Sequence, residues 1–103
     1  MSALSRFDHT EIDDVIHGRL RLGIMAYLST VSPAPFVELR AKVNATDGNL
    51  STHLSRLEEA GYVRIDKSFV NKKPRSNVHL TKAGRAAWID YLSRLQALLS
   101  AAE

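Results

Sequence analysis

The chain has 103 residues, a net charge of +3 at neutral pH and no cysteine, which excludes disulfide bonds, thiol redox sensing and cysteine-ligated zinc. Hydrophobic residues make up 45% and charged residues 24% of the chain, a balance typical of one globular domain (residues 1–103) and too low in charge for disorder. No apolar run approaches the ~20 residues that span a bilayer, and the acidic residues 1–14 do not resemble a signal peptide, so a cytoplasmic protein is expected.

Two helices are predicted in the first part of the chain. Apolar residues recur at spacings of three and four from Ile12 to Thr30, which is the pattern of one amphipathic helix. A run with two prolines over residues 32–35 then breaks the chain. A short second helix is predicted from Phe36 to Val43.

A third helix is predicted from Asp47 to Ala60. Thr46 is a good N-cap residue for it, and Gly61 is suited to end it in a left-handed conformation. Its inward stripe is expected to consist of Leu50, Leu54 and Leu57. The second and third helices, residues 36–60, form the expected helix-turn-helix.

A two-stranded hairpin and a last helix complete the predicted order. Tyr62 to Phe69 and Ser76 to Leu80 alternate apolar and polar residues around a polar tip at residues 70–75. We call residues 62–80 the wing. Thr81 caps a helix that runs to about Ala101. The whole is mainly α with a small β-hairpin, an α+β chain with the order of a winged helix-turn-helix and a long C-terminal dimerisation helix, residues 81–101.

Apolar residues of the last helix recur at spacings of four and three, as in a coiled-coil seam. The seam consists of Trp88, Leu92, Leu95, Leu99 and Ala102, and Tyr91 and Leu98 add a second apolar edge. A helix ~30 Å long with this surface predicts a homodimer. Its interface is expected at Trp88, Tyr91, Leu92, Leu95 and Leu99, with the first helix and residues 1–12 contributing. The alternative is a helix packed only within its own chain.

The outward face of the third helix is small and polar in its N-terminal half. At about 100° per residue, the inward leucines turn this face to solvent. The candidate DNA-binding residues there are Asn49, Ser51, Thr52, Ser55 and Arg56. Such side chains suit an approach to base edges. The alternatives are an ordinary amphipathic helix and, for Arg56, an ion pair with Glu58 or Glu59.

Basic residues concentrate in and around the wing. From Arg64 to Arg85 there are seven basic residues and one acid, whereas residues 1–14 hold four acids and one arginine. Lys72 and Lys73 are candidates for phosphate contacts and Arg75 for the minor groove, where the potential is most negative. The alternative is a solvated turn whose charges serve only solubility.

Three stretches of the sequence resemble short winged-helix regulators related to the MarR and ArsR types. They are Asn49–Val63 (NLSTHLSRLEEAGYV), Lys73–Ser76 (KPRS) and Leu80–Arg85 (LTKAGR), within a match that covers roughly residues 16–92. The resemblance implies a DNA-binding homodimer whose third helix enters the major groove, whose wing tip touches the backbone or minor groove, and whose terminal helices dimerise. The metal-binding cysteines of many ArsR-type sensors are absent.

No enzyme, cofactor or zinc site is expected. The four histidines show no i, i+4 pairing, and no Ser-His-Asp order or glycine-rich phosphate loop is present. His53 is interpreted as a packed residue that hydrogen-bonds to backbone. The expected partners are double-stranded DNA and a second copy of the chain, with no membrane. An apolar effector in a dimer-interface cavity, a winged helix used only for protein contact, and a small enzyme or ligand carrier remain open.

Overall fold

The computed structural model describes residues 9–101, which form four α-helices and a three-stranded antiparallel sheet. The helices are α1 (Arg19–Leu28), α2 (Phe36–Lys42), α3 (Asp47–Glu59) and α4 (Lys82–Ala101). The strands are β1 (Ala34–Pro35), β2 (Val63–Val70) and β3 (Lys73–Leu80), and a 3-10 turn, His9–Glu11, precedes α1. The α+β class, the winged order and the long last helix are confirmed. Within residues 9–101, none of the helices combines the length and the apolar character that a membrane-spanning segment needs.

The first helix is shorter than predicted, and its expected start near residue 12 is wrong. The backbone at Gly18 is extended, with φ −162° and ψ 142°, so α1 begins only at Arg19. Ahead of it, the Asp13 carboxylate accepts hydrogen bonds from the backbone N–H groups of Val15 and Ile16, at 2.9 and 3.3 Å. This side chain closes a local turn that competes with the helix. The apolar periodicity continues through the turn because Ile16 is buried in the same core as α1.

The sheet contains one strand more than predicted. Its order is β1-β3-β2, and β1 pairs with β3 through Ala34↔Val78 and Pro35↔Asn77. Sequence patterns do not reveal β1 because a two-residue strand has no alternation and proline is typical of a break. Proline is tolerated there because β1 is an edge strand.

The hairpin of the wing is longer than predicted, and its turn is tighter. β2 and β3 pair from Val63↔Leu80 to Val70↔Lys73, which leaves only Asn71 and Lys72 in the turn. Residues 70 and 73–75, predicted as a polar tip, are therefore strand. The expectation fails because this part of the hairpin is exposed on both faces, so no inward apolar residues mark the strands.

The turn of the wing holds a lysine where glycine would fit better. Both turn residues have positive φ, 52° for Asn71 and 65° for Lys72, as in a type I′ turn. Lys72→Gly is therefore expected to stabilise the protein by about 0.5 kcal/mol, since relief of left-handed strain outweighs the greater entropy of the unfolded chain. Thermal unfolding checks this. Lys73→Gly, which removes the same charge from a strand, should instead lower the melting temperature, and a fall in both variants would contradict the turn assignment.

The remaining helices lie where they were predicted. α2 and α3 end within one residue of the expected positions. The Thr46 hydroxyl accepts a hydrogen bond from the backbone N–H of Asn49 at 3.1 Å, which caps α3. As expected, the inward stripe is buried in the core, and it consists of Leu50, Leu54 and Leu57. The sequence pattern predicts α3 correctly because its capping residue and its buried leucines lie close together in the chain.

A compact junction joins α3, the wing and α4. Gly61 ends α3 with φ 81°, and its carbonyl accepts a 2.6 Å hydrogen bond from the Thr81 hydroxyl. That hydroxyl also accepts from the backbone N–H of Gly84 at 2.9 Å, and the Thr81 N–H donates to the Tyr62 carbonyl at 3.1 Å. Thr81, Gly61 and Gly84, which belong to the motifs shared with winged-helix regulators, therefore have a structural role. They set the direction of α4 relative to the wing.

Candidate nucleic-acid interface

The outward face of α3 is polar and open to solvent. Because the three leucines are buried on one side of the helix, the opposite side faces solvent. All five candidate residues are exposed there, namely Asn49, Ser51, Thr52, Ser55 and Arg56. The structure therefore brings them together on one surface, as their spacing predicts.

A side chain of α1 forms a hydrogen bond with α3. The Nη1 atom of Arg21 lies 2.9 Å from Nδ1 of His53, and Nε of Arg21 donates to the Val15 carbonyl. Because a guanidinium only donates, His53 accepts this bond through Nδ1. Burial first, and then the charges of Arg21 and Arg56, lower the pKa of His53, so the ring is neutral at physiological pH.

The structural interpretation of His53 is thus supported, but its expected partner is not. The ring bonds to a side chain rather than to backbone, because the fold places Arg21 beside it from 32 residues away in the chain. No local pattern could reveal that contact. Its effect is to tie the segment before α1 to the helix that carries the candidate site.

The cations of this surface are unpaired within the part of the chain that the structure describes. No hydrogen bond or ion pair engages the side chains of Arg56, Lys72, Lys73 or Arg75 there, and the alternative pairing of Arg56 with Glu58 or Glu59 does not form. Three other arginines are paired with acids, namely Arg40, Arg64 and Arg94. The candidate cations are therefore free to meet an anionic ligand.

The wing presents its cations at its far end. Arg75 lies opposite Ser68, and Lys73 lies opposite Val70, so these pairs share one face of the hairpin. Lys72 occupies the turn beside them. All three predicted basic residues are exposed and lie together at the tip of the wing.

A cleft of about 510 Å³ separates α3 from the wing. Ser51, Ser55 and Glu58 line it from α3, and Lys67 and Ser76 line it from the hairpin. Lys67 is not among the predicted site residues. Its only signal in the sequence is its place in the basic stretch, and the cleft joins it to the polar face of α3.

The predicted dimer residues fall into two groups. Trp88 and Tyr91 are only 9% and 1% exposed and belong to the core of their own chain. Their rings stack with centroids 5.8 Å apart, and the Tyr91 hydroxyl lies 2.9 Å from Nδ1 of His17. These two residues therefore leave little surface for a partner, and the expected interface stays a prediction.

The other part of the seam remains open to solvent. Leu92 and Leu99 are 44% and 56% exposed, and Ile89, which was not singled out, is 62% exposed. Leu95 is half-buried and packs on the core. Two contributions to the expected interface, residues 1–8 and Ala102, lie outside the described residues.

Comparison with known proteins agrees with this architecture. Residues 20–99 match the family model described as a winged helix DNA-binding domain. The uncharacterised protein MJ0432 of Methanocaldococcus jannaschii is 35% identical over 78 residues, which are 76% of this chain and 85% of that protein.

Solved structures extend the likeness to the whole chain. A transcriptional regulator homologue from Pyrococcus horikoshii superposes with a TM-score of 0.85 at 29% identity, and the match covers 100% of this chain and 99% of that one. A MarR-family regulator from Silicibacter pomeroyi shares the fold, with a TM-score of 0.67 at 22% identity over 95% of this chain and 64% of that one. The predicted winged-helix fold is confirmed, and it is the fold of this MarR-family regulator.

Proposed function

The chain belongs to the family of winged helix DNA-binding domains, and from that premise we propose that it is a homodimeric transcriptional regulator that binds specific sequences of double-stranded DNA. In this proposal α3 enters the major groove and the wing lies on the backbone and the adjacent minor groove. The observation that carries the proposal is the set of unpaired cations beside the exposed polar face of α3.

The roles on α3 follow from side-chain chemistry. Asn49, Ser51, Thr52 and Ser55 are short hydrogen-bonding residues, so the helix can approach base edges and phosphates closely. Arg56 is long enough to reach a guanine edge with two hydrogen bonds or to hold a phosphate. The bond between Arg21 and His53 ties α3 to α1 and so keeps this face in one orientation.

The wing supplies charge rather than base contacts. Lys72 and Lys73 bind phosphates, and Arg75 enters the minor groove. Lys67 adds a cation at the cleft between α3 and the wing. The short turn holds these groups on a paired hairpin, which reduces the entropy lost when they bind.

The dimer forms through the exposed apolar part of α4. Leu92 and Leu99 are seven residues apart on one side of the helix, with Ile89 one turn before them. Burying these side chains against a second copy removes apolar surface from water. A two-fold dimer would present two copies of α3 to a palindromic site, with half-sites about 34 Å apart.

The salt dependence of DNA binding tests the wing. We expect wild type to bind random-sequence duplex with log K falling steeply against log salt. In Lys72→Ala/Lys73→Ala/Arg75→Ala the slope should be shallower by about 1.8, because the two lysines each lose a phosphate contact and each such contact contributes about 0.9 to the slope. Fluorescence anisotropy across a salt series measures both slopes.

Arg94→Ala is the matched control for this experiment. It also removes a positive charge, but one that lies on α4 and is already paired with Asp90 of the same helix and with Glu11 of the 3-10 turn, so the slope should stay at the wild-type value. If the plots of log K against log salt for wild type and the triple variant were parallel, the wing would be excluded from the interface. Absence of wild-type binding even at low salt would count against DNA binding and favour a module for protein contact.

A further inference from the structure

The most exposed large apolar side chain of the described residues lies on the wing. Phe69 is 76% exposed. Every residue from 67 to 75 is exposed, and Phe69 is not among the apolar residues packed on the core. The far half of the hairpin therefore lies beyond the core, and the Phe69 ring adds nothing to it.

Strand register gives this ring a defined direction. Phe69 lies opposite Pro74, and the next pair on the same face is Lys67 with Ser76. Arg75 lies on the other face of the hairpin. The tip of the wing is thus chemically two-sided, with an aromatic–proline pair on one face and an unpaired guanidinium on the other.

The charges around Phe69 indicate what covers it. Residues 67–75 contain four cations, Lys67, Lys72, Lys73 and Arg75, and no acid. Within residues 9–101, none of these four side chains forms an ion pair. An apolar ring among unpaired cations is complementary to a polyanion that also offers apolar surface between its charges. The sugar walls and base edges of a DNA groove have this character.

We infer that Phe69, backed by Pro74, is an apolar wedge that enters the minor groove of DNA against the wall opposite Arg75. This inference rests on the proposed function and adds a second kind of contact to it. Apolar side chains that enter the minor groove partly unstack a base step and bend the duplex, and flexible pyrimidine–purine steps yield most easily. Phe69 therefore contributes to the choice of DNA sequence through deformability.

The wedge has a signature that separates it from the cations. Burying an apolar ring releases no counterions, so its contribution to log K does not depend on salt. Phe69→Ala should therefore weaken binding to random-sequence duplex by about tenfold at every salt concentration, within the range of aromatic contacts to bases, and leave the slope unchanged. Val70→Ala, which shortens the neighbouring apolar residue on the other face, should change affinity less than twofold.

A second variant reports on the ring directly. In Phe69→Trp the new indole is exposed at the tip, whereas Trp88 is buried and supplies a constant background. Adding duplex DNA should quench the exposed indole and protect it from acrylamide. This readout does not depend on the affinity of the alanine variant.

The outcomes are distinct. If wild type binds DNA but Phe69→Ala binds equally well and the indole stays accessible in the complex, the wedge is overturned and the proposed function stands. If wild type binds no duplex, the inference about Phe69 and the proposed function are both overturned. If Phe69→Trp responds to phosphatidylserine vesicles and not to DNA, the surface meets a membrane and the inference is overturned.

Discussion

Gly84→Ala is expected to destabilise the protein by at least about 3 kcal/mol. A Cβ atom at this position would lie 2.0 Å from the carbonyl oxygen of Tyr62 and 2.8 Å from its carbonyl carbon. Both are backbone atoms, so no side-chain rotation relieves the overlap. The same carbonyl accepts the N–H of Thr81, and moving α4 away from it would break the junction that orients the helix.

Urea unfolding followed by circular dichroism measures this effect. Gly48→Ala is the matched control, because its new Cβ meets nothing within 4 Å and Gly48 lies within the exposed first turn of α3. That variant should gain up to about 1 kcal/mol, since alanine favours helix over glycine. A wild-type midpoint for Gly84→Ala would mean that α4 does not approach the Tyr62 backbone closely.

Leu92→Asp/Leu99→Asp is expected to leave the protomer folded and to abolish the dimer. Both leucines are exposed in the protomer, so the substitutions cost little within it. At a two-fold interface each new carboxylate would be buried near its own copy, where like charges repel. Affinity for a duplex selected by the wild type should fall at least ~100-fold, because a monomer loses the second half-site, which the dimer binds almost intramolecularly.

Sedimentation velocity and anisotropy measure the two effects. Ser93→Asp/Ser100→Asp is the control, since it adds the same charges at the same spacing about 100° around the helix, at positions that are also exposed. It should remain dimeric. A dimeric leucine variant would place the interface elsewhere, and a monomer with wild-type DNA affinity would mean that single protomers read the site.

Local sequence signals determined the elements that are stabilised within themselves. α3 was predicted closely because its cap at Thr46 and its buried leucine stripe lie within a few turns of one helix. The helical spacing of these leucines also predicts that the polar face on the opposite side is exposed. The basic wing was also found, since a run of cations needs no knowledge of distant residues.

Tertiary contacts decided the elements that depend on distant parts of the chain. β1 exists only because β3 pairs with it. The start of α1 depends on the turn at Asp13, whose carboxylate also accepts a 2.6 Å hydrogen bond from the Tyr62 hydroxyl. That bond, with burial, raises the pKa of Tyr62 to about 12. Neither the pairing of β1 with β3 nor the bond between Asp13 and Tyr62 can be predicted from a local sequence pattern.

The last helix shows where the two kinds of information divide. The spacing of its apolar residues predicts one seam, but the structure assigns Trp88 and Tyr91 to the core of the chain and leaves Leu92 and Leu99 exposed. The amino-acid pattern is enough to identify the apolar sides of α4. The packing of the folded chain selects which of those residues its own core covers, because periodicity gives the direction of a side chain around a helix and not the surface that packs against it.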